Sequence, residues 1–348
     1  MKKIKVIHLI STDVFSGAEN VACQIINCFK NESRYEMIYV SKIASNQAIL
    51  EERKIQYYKL KKFSYIEIRK AIKAINPDII HAHDAKASII ASLFSNKAKI
   101  ISHIHGNHEN MRNASPKALL FKLASGGFHR IIWVCKSALD DYKFKNDVKN
   151  KSIILYNVIN PNEIKDKIQK DQNKYDKFDL IYLGRLVDLK NPLRFLGIVN
   201  VLVKENPKIK AAIVGDGELM DQVLDYIKKN TLSDNIKVFG FINNPYKILS
   251  SSKVLMMTSR YEGTPMCALE ALALGKPIIT TPTDGLMDIV DNGSTGYISN
   301  DDNELAQKAM NLLTDNNTYE KMRKAVINKS KKINNINAYR KSIDLAYE

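Results

Sequence analysis

Short runs of Ile, Val and Tyr alternate along this chain with longer stretches in which apolar positions recur at three- and four-residue spacing. The first pattern marks strands and the second marks helices with one apolar face. The runs predict strands at 5–10, 35–40, 55–59, 78–81, 99–105, 130–134 and 152–155. A second series is predicted at 180–183, 209–214, 236–239, 254–258, 277–281 and 296–298. Helices are predicted at 18–29 and 65–75, then at 192–204, 218–228, 265–274 and 304–313. Such alternation calls for parallel sheets covered by helices.

Between the two arrays lies 161–177, a polar segment without strand character and the natural place for a boundary. The expected organisation is an N-terminal Rossmann-like domain over 1–160, a linker over 161–177, and a second Rossmann-like domain over 178–330. The basic helical tail is expected to return to the first domain through 331–348. A length of 348 residues suits two domains. Two doubly wound sheets facing each other across a cleft would bind ligands beyond the carboxyl ends of their strands. The loops there should therefore carry the chemistry.

Composition changes the picture in three places. The start, MKKIKVIHLI, is basic like a signal peptide, but its apolar run over 6–10 is short and meets Ser11, Thr12 and Asp13 at once. It reads as a first strand, and no stretch approaches the ~20 apolar residues that span a bilayer. The four cysteines, Cys23, Cys28, Cys135 and Cys267, show no Cys-x-x-Cys pair and no zinc spacing. Free thiols in a reducing, cytoplasmic compartment are the expectation. The net charge of +16 is uneven: residues 1–160 hold 26 Lys/Arg against 13 Asp/Glu, and 161–348 hold 27 against 24. In the basic first half, Pro116-Lys-Ala-Leu-Leu-Phe-Lys-Leu123 suits anionic lipid at the inner face of the plasma membrane, or is a solvated helix face.

The most informative stretch is Arg260-Tyr-Glu-Gly-Thr-Pro-Met-Cys-Ala-Leu-Glu270. A strand enters a loop, Thr264 is placed as N-cap with Pro265 at the first helical position, and Gly275 ends the helix before Pro277. The free amides of Gly263, Thr264, Met266 and Cys267 and the positive helix end form a site for a phosphate or diphosphate. Glu262 lies just outside that helix and Glu270 nearly two turns inside, where carboxylates accept sugar and ribose hydroxyls. Leu183-Gly-Arg-Leu-Val-Asp-Leu-Lys-Asn-Pro192 supplies two cations on a strand-to-helix loop, Arg185 and Lys190, with Asn191 as the expected cap. They can neutralise a diphosphate leaving group without a metal.

Taken together, Gly184-Arg185 with Lys190, Val214-Gly-Asp-Gly-Glu218, Val238-Phe-Gly-Phe-Ile242, and Glu262 and Glu270 separated by seven residues closely resemble the retaining glycosyltransferases of family 4. That resemblance implies the GT-B fold, an α/β architecture of two Rossmann-like domains, and a nucleoside diphosphate sugar as donor, UDP first among the bases. It implies no cofactor, no metal, and a glycan or lipid-linked acceptor in surface polysaccharide synthesis. Glu262 would contact the transferred hexose-type sugar and Glu270 the donor ribose. Arg185 and Lys190, with Gly184, would hold the diphosphate, Gly263, Thr264, Pro265 and Met266 would line the donor, and Phe241 would lie near the base. In Ser16-Gly-Ala-Glu19, Gly17 would let the backbone approach the diphosphate. His105, followed by Gly106, would approach the donor sugar, while His83 and Asp84 would line the acceptor side.

Five of the seven histidines, His81, His83, His103, His105 and His108, fall within 28 residues. His-x-His on a strand puts both rings on one face, and the acids and cysteines of a closed zinc site are missing from these motifs. Asn157 to Asn160 resembles the family's interdomain turn with Val158 in place of glycine, and Asp288 stands where the family has Glu. No hydrophobically flanked Asp-x-Asp is present. A nucleotide-sugar epimerase or hydrolase on the same fold is the rival enzyme, and a nucleic-acid-binding protein, suggested by charge alone, is the rival class. Gly215-Asp-Gly217 lacks the third glycine of a dinucleotide fingerprint, which disfavours an oxidoreductase.

Overall fold

The computed structural model describes residues 3–12, 15, 17–42, 47–106 and 109–348. Ser16 and His108 lie outside the described residues. Among those described, thirteen strands form two wholly parallel sheets, close to the boundaries that the apolar runs predict.

The first unit comprises Met1–Asn157 with Ile336–Glu348. Its strands are β1 (Ile4–Leu9), β2 (Tyr35–Ser41), β3 (Tyr57–Lys59), β4 (Ile79–Ala82), β5 (Lys99–Ile104), β6 (Arg130–Trp133) and β7 (Ser152–Ile154), in the order β3-β2-β1-β4-β5-β6-β7. The inner strands are buried on both faces because helices cover each side, so Val6, Ile7, Val40, Ile80 and Ile131 are nearly or wholly inaccessible, whereas the edge strands β3 and β7 are part-exposed. The helix Ile336–Tyr347 belongs to this unit. Tyr347 hydroxyl lies 2.8 Å from His81 Nδ1, Arg34 pairs with Asp344 at 3.2 Å, and Lys99 Nζ donates to the Tyr347 carbonyl at 3.2 Å.

The second unit comprises Val158–Asn335. It contains β8 (Phe178–Leu183), β9 (Ala211–Val214), β10 (Ile236–Val238), β11 (Ser252–Met257), β12 (Ile278–Thr280) and β13 (Gly296–Ile298), in the order β10-β9-β8-β11-β12-β13. Both sheets thus run outward from their first strand in one direction, then reverse. The reversal falls between β1 and β4 in one and between β8 and β11 in the other. In such sheets the crevice beyond the strand ends at that switch point is where ligands bind.

Two local expectations need correction. Residues 161–177 are not a free linker: Pro161–Lys170 is a helix, capped by the Asn160 side chain accepting from Asn162 N at 3.1 Å. Ile164 is 4% exposed in the second core, and Asn244 donates to the Lys167 carbonyl at 3.2 Å. Asn-Pro at the start and Ile164 and Ile168 four apart were enough for one amphipathic stripe, although polar residues dominate the rest. The helix after β11 starts at Met266, one residue later than expected. Pro265 occupies the cap position without a side-chain cap bond, so Thr264 is not the cap.

Candidate active site

At the switch point of the second unit, the loop after β8 carries Gly184, Arg185 and Lys190, and the loop after β11 carries Glu262, Gly263 and Thr264. The two loops are pinned together. Arg260 N donates to the Leu189 carbonyl at 2.9 Å, and Thr258 Oγ1 donates to the Asn191 carbonyl at 2.8 Å. Asn191 turns the chain in a left-handed conformation, φ 48° and ψ 56°, immediately before Pro192 opens the next helix. The Tyr182 hydroxyl, below this turn, donates to the Arg185 carbonyl at 2.9 Å.

Glu262 is 4% exposed, and its carboxylate is satisfied from two sides: Lys190 Nζ at 2.5 Å and Ser259 Oγ at 2.6 Å. Burying a carboxylate without such partners would cost several kcal/mol. An ammonium has three N–H groups, so Lys190 can hold this carboxylate and still donate to an anionic oxygen. Arg185 is exposed, and its guanidinium takes no hydrogen-bond or ion partner among the described residues. Glu270 is 7% exposed in the helix Met266–Ala273, where it accepts from the Tyr246 hydroxyl at 3.2 Å. Cys267 stands between the glutamates: burial pushes its thiol up to about 12, and the Glu262 and Glu270 charges act in the same direction.

Glycine fixes how closely these loops stack. A Cβ on Gly215 would lie 1.9 Å from the Gly184 carbonyl oxygen, and one on Gly285 would lie 1.3 Å from that of Gly263. The loop after β9 therefore sits directly on the Gly184 loop, and the turn after β12 directly on the Glu262 loop. Gly215 N also donates to the Gly240 carbonyl at 2.8 Å, which places Phe241, 62% exposed, on the loop beyond β10. Pro265 and Met266 follow at the head of the helix, whose first amides have no intrahelical partners.

In the first unit the switch point is filled by imidazoles. His8 on β1 lies in register with His81 on β4, and His83, His103 and His105 complete the cluster. His81 and His83 stack at 4.4 Å between ring centroids and His103 and His105 at 4.2 Å, as the two-residue spacing requires. Their nitrogens form two chains. In one, His8 Nδ1 meets His83 Nε2 at 2.9 Å and His83 Nδ1 meets His105 Nε2 at 2.9 Å. In the other, the Tyr347 hydroxyl meets His81 Nδ1 at 2.8 Å and His81 Nε2 meets His103 Nδ1 at 3.1 Å.

Burial holds His8 and His105 down at about 3, and burial reinforced by mutual repulsion holds His81, His83 and His103 well below the ordinary imidazole value. A neutral imidazole has one donor and one acceptor, so each chain must be ordered in one of two concerted tautomeric patterns. The end nitrogens, His8 Nε2, His103 Nε2 and His105 Nδ1, have no hydrogen-bond partner among the described residues. Two groups of three ring nitrogens lie within 4.8 Å, His8-His81-His83 and His83-His103-His105. Within both groups nitrogens are engaged with one another.

Two acceptor-side expectations change here. His83 is fully buried inside the imidazole chain and is not a surface residue. Asp84 caps the helix Ala85–Ser92, Oδ1 accepting from Ala87 N at 2.7 Å, while Oδ2 accepts from Ser11 N at 3.0 Å. Asp84, half-buried, thus ties the end of β4 to the segment after β1. Gly17 opens the helix Gly17–Cys28, and a Cβ there would meet no described atom within 4 Å.

Two family descriptions cover these halves in tandem: Glycosyltransferase Family 4 matches residues 17–163 and Glycosyl transferases group 1 matches residues 163–331. The chain belongs to the group 1 glycosyltransferases. It is 29% identical over 249 residues to an uncharacterized glycosyltransferase of Methanocaldococcus jannaschii, spanning 64% of this chain and 60% of that protein. It is 26% identical over 336 residues to the UDP-Gal:alpha-D-GlcNAc-diphosphoundecaprenol alpha-1,3-galactosyltransferase of Escherichia coli, spanning 85% of this chain and 84% of that protein. The fold is similar to that of Anabaena HepE, solved in complex with UDP-glucose, with a TM-score of 0.86, 16% identity and 98% of each chain covered.

In this glycosyltransferase, the second unit brings Arg185, Lys190, Glu262, Gly263, Thr264, Pro265 and Met266 onto two adjoining loops and the helix they open. Sequence reasoning missed four supports: Ser259 under Glu262, Tyr246 on Glu270, Gly285 against Gly263, and His8 in the imidazole chain. Ser259 was legible as the residue before Arg260. Nothing near Tyr246 or His8 points to partners 24 and 75 residues away.

Proposed function

We propose that this glycosyltransferase moves a hexose-type sugar from a UDP-sugar to a glycan or lipid-linked acceptor in surface polysaccharide synthesis, with retention of anomeric configuration and without a metal. The observation that carries the reading is the Lys190–Glu262 pair at the switch point, flanked by the exposed Arg185 guanidinium. Lys190 and Arg185 take the donor diphosphate, Glu262 orients the sugar through its hydroxyls, and Glu270 accepts from the ribose. As the bond from sugar to phosphate breaks, charge grows on the leaving oxygens and the two cations stabilise it. The acceptor hydroxyl attacks from the side of the departing diphosphate and gives its proton to a phosphate oxygen, so configuration is kept. The names of the relatives support the substrate class: the E. coli protein uses UDP-galactose and a diphosphoundecaprenol acceptor. A 27% identical Staphylococcus aureus relative is a capsular polysaccharide glycosyltransferase.

The test is to incubate the protein with UDP-sugars and a diphosphoundecaprenol-linked acceptor in chelator, and to read the product anomer by NMR. An α product from an α donor is expected. An inverted product, loss of turnover in chelator, or donor consumed without any transfer would each overturn the corresponding part, the last favouring a hydrolase or epimerase. Glu262→Ala is expected to lower transfer by a hundredfold or more, on the order of losing one group that stabilises the transition state.

A further inference from the structure

Three helices of the first unit, Tyr65–Ile75, Ala85–Ser92 and Pro116–Ala124, carry an apolar surface that the fold does not use. The third helix is built to sit on the domain by one face: Ala118 and Phe121 are fully buried, and Ser115 caps it by accepting from Ala118 N at 3.1 Å. Its other face should then be polar. Instead Leu119, Leu120 and Leu123 stand 47%, 52% and 68% exposed. Leu93, 64% exposed, follows the second helix, which packs against the third. The two are drawn together at Gly127, just past the third helix, where a Cβ would lie 3.1 Å from Ser95 Oγ and 3.2 Å from the Ser92 carbonyl. Tyr65 stacks on Phe94 at 5.3 Å, so Tyr65 and Ile66, 44% and 62% exposed, extend the same surface onto the first helix. Scattered single leucines need no explanation, but three exposed leucines within one nine-residue helix, with Leu93 at the end of the helix packed beside it, mark an interaction site.

The charge around it selects the partner. Residues 61–124 hold eleven Lys/Arg against four Asp/Glu. Lys62, Arg69, Lys86 and Lys97 are exposed, and Lys117 is half-buried beside Leu119 and Leu120 on the same helix. We propose that this helical layer docks on the headgroup region of an anionic phospholipid bilayer, the leucines entering the acyl boundary and the lysines meeting lipid phosphates. A second copy of the chain is disfavoured because two such cationic layers repel. A nucleic acid would use the lysines and leave the leucines in water. The inference stands apart from the transfer reaction, because binding to vesicles needs neither donor nor acceptor.

The experiment is flotation of the full chain with vesicles of phosphatidylglycerol and phosphatidylcholine in equal parts, against phosphatidylcholine alone, at 0.1 and 0.5 M salt. Partition into the anionic vesicles is expected to exceed that into neutral ones at least tenfold. Leu120→Asp with Leu123→Asp is expected to cut it tenfold or more, with thermal midpoint and solution mass unchanged. Should that pair disturb folding, Leu123→Ser, at the most exposed position, keeps the test open and should still lower partition severalfold. Equal or no binding to the two vesicles overturns the proposal. So does a leucine variant that binds like the parent while Lys97→Glu with Lys117→Glu abolishes binding, since that is a purely electrostatic, nucleic-acid-like surface. A parent dimer that the leucine change converts to monomer also overturns it.

Discussion

The two units share a topology and fill their switch points with opposite chemistry. Between β1 and β4 the first unit packs five imidazoles that are stable in the core because they are neutral. Between β8 and β11 the second unit joins two loops by Lys190 and Glu262, which tolerate burial because both are charged and paired. A parallel sheet of this kind dictates where polar side chains gather, at the ends of the strands where the order reverses, but not which polar chemistry gathers there. One unit is therefore vulnerable to added protons, and the other to the loss of a partner.

The largest effect expected from this contrast is acid lability confined to the first unit. Its histidines have folded values below the ordinary 6.5, so the unfolded chain binds more protons as the pH drops. The stability they allow is complete above about 6.5 and drains as pH falls toward about 3. At pH 5 the loss is about 2 kcal/mol for each of His8 and His105, and His81, His83 and His103, also held below the ordinary value, add to it in the same direction. Hydrogen exchange from pH 7.5 to 5 should show β1, β4 and β5 losing protection well before β8 and β11. Simultaneous loss in both sheets would break the comparison.

Lys190→Ala should come next, costing about 2–3 kcal/mol because it strands a carboxylate that is 4% exposed, discounted for the partial exposure of the lysine itself. Adding Glu262→Gln to that variant should restore most of the thermal midpoint, which a calorimetric double-mutant cycle would read. Tyr246→Phe should cost about 1 kcal/mol, the worth of one hydrogen bond to Glu270, and should weaken UDP binding more than it slows turnover at saturating donor. Arg185→Ala should move stability by less than about 0.5 kcal/mol, since its exposed guanidinium has no partner among the described residues. The same change should weaken UDP binding about tenfold or more by titration calorimetry, through the loss of charged hydrogen bonds. Unchanged affinity would move the diphosphate away from the β8 loop.

Much of this was legible along the chain. Strands stood out because Ile, Val and Tyr runs in a doubly covered sheet cannot be mistaken for an amphipathic helix of normal length. The loops proposed to hold the donor stood out because glycine and proline fix backbone shape locally, as at Pro192 and at Gly215, although Asn191 makes no side-chain cap bond. The helix Pro161–Lys170 was lost because one or two buried isoleucines among polar residues give a weak stripe, even behind an Asn cap. That His83 would meet His8 and Asp84 the Ser11 amide was not legible, because nothing local tells a strand-end side chain which neighbour it will meet.

By itself, then, the sequence determined the order and kind of the elements, the glycines that let loops stack, and the alternation that puts His81 with His83 and His103 with His105. Only the tertiary structure decided which of these side chains meet. Lys190 reaches Glu262 across 72 residues, His8 reaches His83 across 75, and Tyr347 reaches His81 across 266. The reason is that local spacing fixes the period and face of an element, while its neighbours are set by the crossover of each strand over its sheet and by the helices that bury it. Charge and tautomer at the two switch points follow from those neighbours.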